Sequence, residues 1–219
     1  SWGRDNEVKA YDNMLKQFAK PGSIVAIVSD SYDIYNATRN LWGKELRQQV
    51  IDSGATVVIR PDSGDPADIL CGTKLVGNTP EEKGAVECLW DIFGGTINAQ
   101  GYKMLNERVG LIYGDSITLE RAEDILRRLK EKGFASSNIV FGVGSYTYQY
   151  VTRDSYGFAM KATYAEINGQ ATELFKDPVT DGGTKKSAKG LLRVEREGNN
   201  FVLYDQQTKE QESQGCLQT

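Results

Sequence analysis

The sequence predicts an α/β protein, a parallel sheet followed by an antiparallel tail, on three observations. Four short apolar runs, at 23–28, 56–59, 109–113 and 138–143, each end in a polar or glycine-bearing loop. Segments with helical spacing separate these runs, which is the pattern of βα units around a parallel sheet. After about Thr152 the spacing changes to strand alternation with tight turns, Asn168-Gly169 being the strongest. The division therefore falls between a βα part at 1–152 and an antiparallel tail at 153–219 that returns to a second domain or layer.

Taken in order, Val8, Tyr11, Leu15 and Phe18 share one helical face and predict a helix over 5–19, stopped by Pro21-Gly22. The run at 23–28 reads as a buried strand ending in Ser29-Asp30-Ser31-Tyr32-Asp33. Leu41, Trp42, Leu46 and Val50 mark a helical segment to about Asp52. Thr56-Val57-Val58-Ile59 fits a strand buried on both faces, because β-branched side chains suit a pleated, packed surface. Thr79, Pro80 and Glu82 form a capping box that opens a helix with Val86, Leu89, Trp90 and Phe93 inward. Gly94-Gly95 ends it, and 96–103 reads as a small hairpin or irregular insertion.

The third strand, 109–113, ends in Gly114-Asp115-Ser116. Leu119, Ala122, Ile125, Leu126 and Leu129 predict the next helix, closed by Gly133. The fourth strand, 138–143, ends in Gly144-Ser145. In the tail, 158–167 and 170–176 pair across Asn168-Gly169. A Gly- and Lys-rich loop fills 177–190, and 191–196 pairs with 201–204.

Composition narrows the function. The chain has 219 residues, with 26 Lys and Arg against 30 Asp and Glu, for a net charge of −4. It has no basic excess to displace counterions, so a nucleic-acid partner is not expected. No apolar run reaches membrane-spanning length and no signal peptide opens the chain, so no membrane partner is expected. Cys71, Cys88 and Cys216 are far apart and form no CxxC, which predicts reduced thiols and a cytoplasmic location. The chain has no histidine. Ser-His-Asp and Cys-His catalysis and most zinc sites are thereby excluded for this chain alone. The start at Ser1-Trp2, without Met, and the abrupt end at Thr219 predict a piece of a longer protein.

The stretch with most chemistry is Ile59-Arg60-Pro61-Asp62-Ser63-Gly64-Asp65-Pro66. Arg60 carries a planar fork of donors suited to phosphate or carboxylate. Asp62 adds a carboxylate, Ser63 a hydroxyl, and Gly64 lets backbone approach a ligand. Ligands of parallel sheets sit at the carboxyl ends of the strands. Those ends together supply Asp30, Arg60, Asp62, Gly114, Asp115, Gly144 and Ser145. Carboxylates there can accept from sugar hydroxyls or hold a divalent metal. Glycines ahead of helices present N–H groups to phosphate. The inference is a phosphorylated sugar or nucleotide ligand; the plain alternative for any one residue is a cap or turn. Arg153, Lys161, Lys176, Lys185, Lys186 and Lys189 form a second, cationic group. The last three read as solvated surface, whereas Arg153 and Lys161 can line an anion site if the tail folds back.

Val28-Ser29-Asp30-Ser31-Tyr32-Asp33-Ile34-Tyr35-Asn36, Ile59 to Pro66, Gly114-Asp115, Thr152-Arg153-Asp154 and Phe175-Lys176-Asp177-Pro178-Val179 together resemble the nicotinamide phosphoribosyltransferase family, of the type II phosphoribosyltransferases. The resemblance covers essentially the whole chain and lacks the family's N-terminal region, active-site histidine and extreme C-terminus. It implies a portion of an irregular TIM-like α/β barrel packed on a second domain. It implies transfer of ribose 5-phosphate from phosphoribosyl pyrophosphate to nicotinamide, with Mg²⁺, with ATP in the parent enzyme, and with active sites shared across a homodimer.

Carried over, Arg60 faces the nicotinamide and pyrophosphate region, and Asp62 and Asp115 hold the ribose hydroxyls as the catalytic carboxylates. Gly114 shapes the pocket, and Gly144 and Ser145 meet the 5′-phosphate. Arg153, Lys161, Lys176 and Lys185 meet phosphates from the partner subunit. Where animal members carry a run of glycines this chain has Gly144-Ser145-Tyr146, which weakens the Ser145 assignment. The alternatives are a nicotinate or quinolinate phosphoribosyltransferase, or a non-catalytic fragment with a phosphate site; the isolated piece is expected to be inactive.

Overall fold

The computed structural model describes residues 2–144, 151, 153–180 and 186–216. Its first part contains α1 (Glu7–Phe18), β1 (Ile24–Val28), α2 (Ile34–Asn36), α3 (Arg47–Asp52), β2 (Thr56–Arg60) and α4 (Pro66–Cys71). It continues with α5 (Pro80–Lys83), α6 (Ala85–Phe93), β3 (Gly95–Ile97), β4 (Lys103–Leu105), β5 (Val109–Tyr113), α7 (Leu119–Glu131) and β6 (Ile139–Phe141). The four long-predicted strands form one parallel sheet in the order β1-β2-β5-β6. Val25 faces Val57, Val57 faces Val109, and Leu111 faces Ile139 in register. The predicted insertion at 96–103 is an antiparallel hairpin of β3 and β4.

The sheet is covered on one face only among the described residues. Val25, Ile27, Val57, Ile59, Val109, Leu111 and Tyr113 point to the helices and are buried. They pack with Leu15, Trp42, Val50, Leu70, Leu89, Ile125 and Leu129 in a single core. Each such aliphatic side chain contributes about 1.5–3 kcal/mol when fully buried. The alternate residues face the other way, and Ile24 and Val140 are 74% and 58% exposed. The expectation of strands buried on both faces is thus corrected: alternation, with helices on one side, leaves an apolar face open. Ile24, Ala26, Val58, Ile112 and Val140 line a groove of about 470 Å³ there. Among the described residues the parallel sheet is open, with four strands in the order β1-β2-β5-β6.

Local chemistry corrects the helix assignments. The segment after β1 is not one regular helix. It runs from α2 into a π-helix at Ala37–Glu45 and then into α3. The Leu46 N–H donates to the Leu41 carbonyl, five residues back, at 2.9 Å. Gly43 permits this packing, since a Cβ there would sit 2.7 Å from Ile92 Cδ1 and 2.8 Å from Thr38 O. The capping box at Thr79 is present, but its helix stops after one turn. Gly84 has φ +83 and splits α5 from α6, with Gly72 and Cys71 backbone against it. Between β2 and that box lies α4, a helix the periodicity did not reveal. Asp65 caps it, accepting from the N–H groups of Ala67 and Asp68, and Pro66 takes the first position.

The tail forms two hairpins: β7 (Tyr164–Ile167) with β8 (Gln170–Glu173), and β9 (Leu191–Glu197) with β10 (Asn200–Gln207). The short helix α8 (Lys209–Glu212) follows. The predicted strand at 158–167 begins only at Tyr164; residues 158–163 make no ladder. Asn168 takes the left-handed conformation that the Asn-Gly turn requires, with φ +52.

Candidate functional site

The C-terminal ends of β1, β2, β5 and β6 converge, as parallel pairing demands. β1 ends at Val28, and Asp30 follows after Ser29, whose N–H donates to Arg60 O at 3.0 Å. Asp30 is 1% exposed. Its Oδ2 accepts from the Asp62 N–H at 2.8 Å and from the Ser63 hydroxyl. The end of β1 therefore fixes the backbone of the loop after β2. Asp30 Oδ1 is buried and has no hydrogen-bond partner among the described residues.

Arg60 and Asp62 stand at the mouth of this loop, their side chains about half and one-third exposed and 3.8 Å apart. Such an exposed pair adds little stability and leaves both groups able to meet a ligand. Gly64 turns the chain with φ +82, and its carbonyl accepts from the Tyr113 hydroxyl at 2.9 Å. Tyr113, the last residue of β5, is buried. Burial first, and then the charges of Asp115, Asp30, Asp62 and Asp65, push its phenol above the usual range. Those carboxylates belong to the loops that follow β1, β2 and β5, and Asp65 among them is the cap of α4.

Gly114 and Asp115 leave β5 at the same edge. Gly114 packs against Gly142: a Cβ on Gly142 would lie 3.0 Å from Gly114 Cα. The two glycines bring β5 and β6 backbones together beyond the ladder, where Gly142 N–H donates to Tyr113 O. Asp115 is not the cap of the following helix. Thr118 is, its hydroxyl accepting from the Arg121 N–H, while Asp115 accepts from the Ser116 hydroxyl at 3.4 Å. Gly144 is exposed. Ser145 and Lys185 lie outside the described residues. Arg153 begins a 3₁₀ turn, Arg153–Tyr156; its side chain is outside the description.

The tail reaches the site through 175–180. Val179 N–H donates to Tyr32 O at 2.9 Å, and Asp177 N–H to Ser31 O at 3.4 Å. Phe175 meets the Tyr32 ring edge-on, 6.1 Å between centroids. Lys176 lines a cavity of about 470 Å³ with Trp2, Tyr11, Val28, Tyr32 and Phe175, beside the end of β1. Lys161 is exposed on the chain before β7.

Beneath Asp30 lies a polar chain the periodicity did not reveal. The Tyr11 hydroxyl donates to Glu7 at 2.8 Å, and Trp42 Nε1 donates to Ser29 Oγ at 3.1 Å. Glu7 is buried, and desolvation raises its carboxyl above the ordinary 4.5. Ser63, Gly142 and Tyr113 are further site-forming residues whose roles only the fold makes visible, while Thr118 serves as the cap of α7. For Thr118 a signal existed, since Thr one position before an apolar helical run reads as a cap.

The described strand-end groups therefore offer a cation, three carboxylates and a two-glycine opening at one sheet edge. That set suits a polyhydroxylated, anionic ligand. No helix among the described residues is long and apolar enough to cross a membrane. No group of three or more Cys, Asp or Glu able to hold a metal occurs among the described residues.

Comparison with known proteins agrees with this chemistry. A sequence model of the Nicotinate phosphoribosyltransferase (NAPRTase) family matches residues 1–215. A protein of Acinetobacter baylyi named nicotinamide phosphoribosyltransferase is 55% identical over 222 aligned positions, covering 98% of this chain and 44% of the relative. Relatives of the same name from Xanthomonas campestris and Mycoplasma pneumoniae are 47% and 40% identical. They cover 90% and 86% of this chain, and 39% and 41% of their own lengths. The chain spans less than half the length of these curated relatives.

Proposed function

The chain belongs to the nicotinate phosphoribosyltransferase family, and from that premise we propose that its complete protein transfers ribose 5-phosphate from phosphoribosyl pyrophosphate to nicotinamide. The products are nicotinamide mononucleotide and pyrophosphate. The observation that carries this reading is the gathering of Arg60, Asp62 and Asp115 at one edge of the parallel sheet. The names of the similar relatives favour nicotinamide over nicotinate.

In this reading the anomeric carbon loses pyrophosphate and becomes oxocarbenium-like as the pyridine nitrogen adds. Asp62 and Asp115 accept from the ribose hydroxyls, and their negative charge offsets the cationic sugar. Arg60 holds pyrophosphate oxygens through its two-pronged donor face. Gly114 and Gly142 keep side chains away from the sugar edge. Lys161, Arg153, Lys176 and Lys185 would meet phosphates, in the neighbouring subunit's site if the complete protein is a homodimer.

Mg²⁺ would neutralise the departing pyrophosphate. Mg²⁺ takes one or two carboxylates plus substrate phosphates, and Asp62 and Asp115 would be those carboxylates here. The open apolar sheet face would be the inner wall of a barrel that the remainder of the protein closes. The isolated piece, with that wall open, would be inactive.

The test is an assay of the complete protein with phosphoribosyl pyrophosphate and either nicotinamide or nicotinate, reading mononucleotide and pyrophosphate. Preferential turnover of nicotinamide is expected. Preference for nicotinate, or no transfer to either ring, would overturn the assignment.

A further inference from the structure

Asp30 does more than border the site, and its partners reach into the tail. Its Oδ2 takes the Asp62 N–H at 2.8 Å and the Ser63 hydroxyl. The Ser63 hydroxyl is also 2.9 Å from the Thr180 hydroxyl. A serine has one hydroxyl proton and a carboxylate has none to give. Ser63 must therefore donate to Asp30, which leaves Thr180 to donate to Ser63. The chain runs in one direction, Thr180 to Ser63 to Asp30, and each donor polarises the next. Asp30 and Ser63 are both buried, so water does not compete.

Three further contacts fasten the same segment. Val179 and Asp177 donate their N–H groups to Tyr32 and Ser31 carbonyls. Pro178 is buried between them. Gly64 sits so close to this segment that a Cβ on it would lie 2.9 Å from Thr180 O. The segment 177–180 thus crosses two loops, one after β1 and one after β2, and bonds to both.

We propose that residues 177–180 are a strap, and that Thr180, acting through Ser63 and Asp30, is a positioning residue for the Arg60–Gly64 loop. Its effect on turnover rests on the phosphoribosyltransferase reading; its effect on the loop does not. The strap holds the Asp62 backbone against Asp30 at the end of β1. Without the Thr180 hydroxyl, Ser63 loses the donor that the described residues give it and turns more freely. The Asp62 N–H then exchanges its bond to Asp30 more often.

The test compares Thr180→Val, which keeps shape and removes the hydroxyl, with Thr180→Ser, which restores it, in the complete protein. Amide hydrogen exchange is followed at Asp62, with Ile59 in β2 as the internal reference. Thr180→Val should speed exchange at Asp62 severalfold and leave Ile59 unchanged, and Thr180→Ser should return it to the original rate. In the transfer assay the same variant should lose about fivefold in kcat/KM, which is about 1 kcal/mol, and Thr180→Ser should recover it.

Unchanged Asp62 exchange in Thr180→Val would overturn the strap. So would equal acceleration at Ile59, which is general loosening, or failure of Thr180→Ser to restore the rate. If the unaltered protein transfers no phosphoribosyl group, the functional reading fails and the exchange result still decides the strap.

Discussion

Replacing Asp115 separates a substrate-binding carboxylate from a structural one. Asp115 follows the buried end of β5 and Gly114, with the Gly142 backbone alongside, so a sugar can approach it. The structural competitor was a helix cap, and Thr118 fills that position. An ionised carboxylate accepting a sugar hydroxyl contributes about 1.5–3 kcal/mol. In the complete protein, Asp115→Ala should therefore lower kcat/KM by about one to two decades, since 1.36 kcal/mol is about tenfold. Its contact with the Ser116 hydroxyl is long, at 3.4 Å, and Thr118 rather than Asp115 caps α7, so stability should change by less than about 1 kcal/mol. Asp115→Asn should recover only part of the rate, because the amide keeps the shape and lacks the charge that favours a cationic ribose. The assay is steady-state transfer to nicotinamide at varied phosphoribosyl pyrophosphate, beside a thermal melt of each variant. Full recovery in Asp115→Asn, or a rate loss matched by unfolding, would refute the ribose role.

Other substitutions test the frame around the site. Thr118→Ala should cost about 1 kcal/mol of stability through the lost cap of α7, with kcat/KM unchanged; a melt and the same assay check both. Gly84→Ala must adopt φ +83 and place a Cβ 2.3 Å from Gly72 N, so it should lower the melting temperature by at least about 5 °C. Glu7 gives a pH signature. Its folded pKa is raised by burial, so the folded state binds the proton more tightly and this residue's contribution falls as pH rises above about 4.5. Glu7→Gln, which still accepts from Tyr11, should stabilise the protein at neutral pH and lose that advantage below the ordinary carboxylate pKa; denaturant melts across pH read the difference. An advantage that grows toward acid pH would contradict the sign.

The parallel sheet was legible because its four strands are apolar runs closed by loops with unmistakable turn chemistry. Asp30, Arg60, Asp62 and Asp115 were legible for the same reason, since each stands just past a strand end. Periodicity hid what depends on single residues. Gly43 and Gly84 reshape helices whose apolar spacing looks regular, because the constraint lies in a missing Cβ and not in hydrophobicity. The helix α4 was hidden in the most distinctive motif: Asp65-Pro66 is both part of that motif and a cap with Pro at the first helical position. The open face of the sheet was illegible because a continuous β-branched run such as 56–59 reads the same whether one face or two are covered. Thr180 was illegible because its partners are 117 residues away in sequence.

The central claim is that the C-terminal ends of β1, β2, β5 and β6 form a phosphoribosyl site. The most direct measurement is a crystal structure of the complete protein with nicotinamide mononucleotide bound. The ribose should lie within hydrogen-bond distance of Asp62 and Asp115, with the sugar edge against Gly114 and Gly142. A nucleotide seated on another part of the molecule, with those carboxylates turned away from it, would contradict the claim.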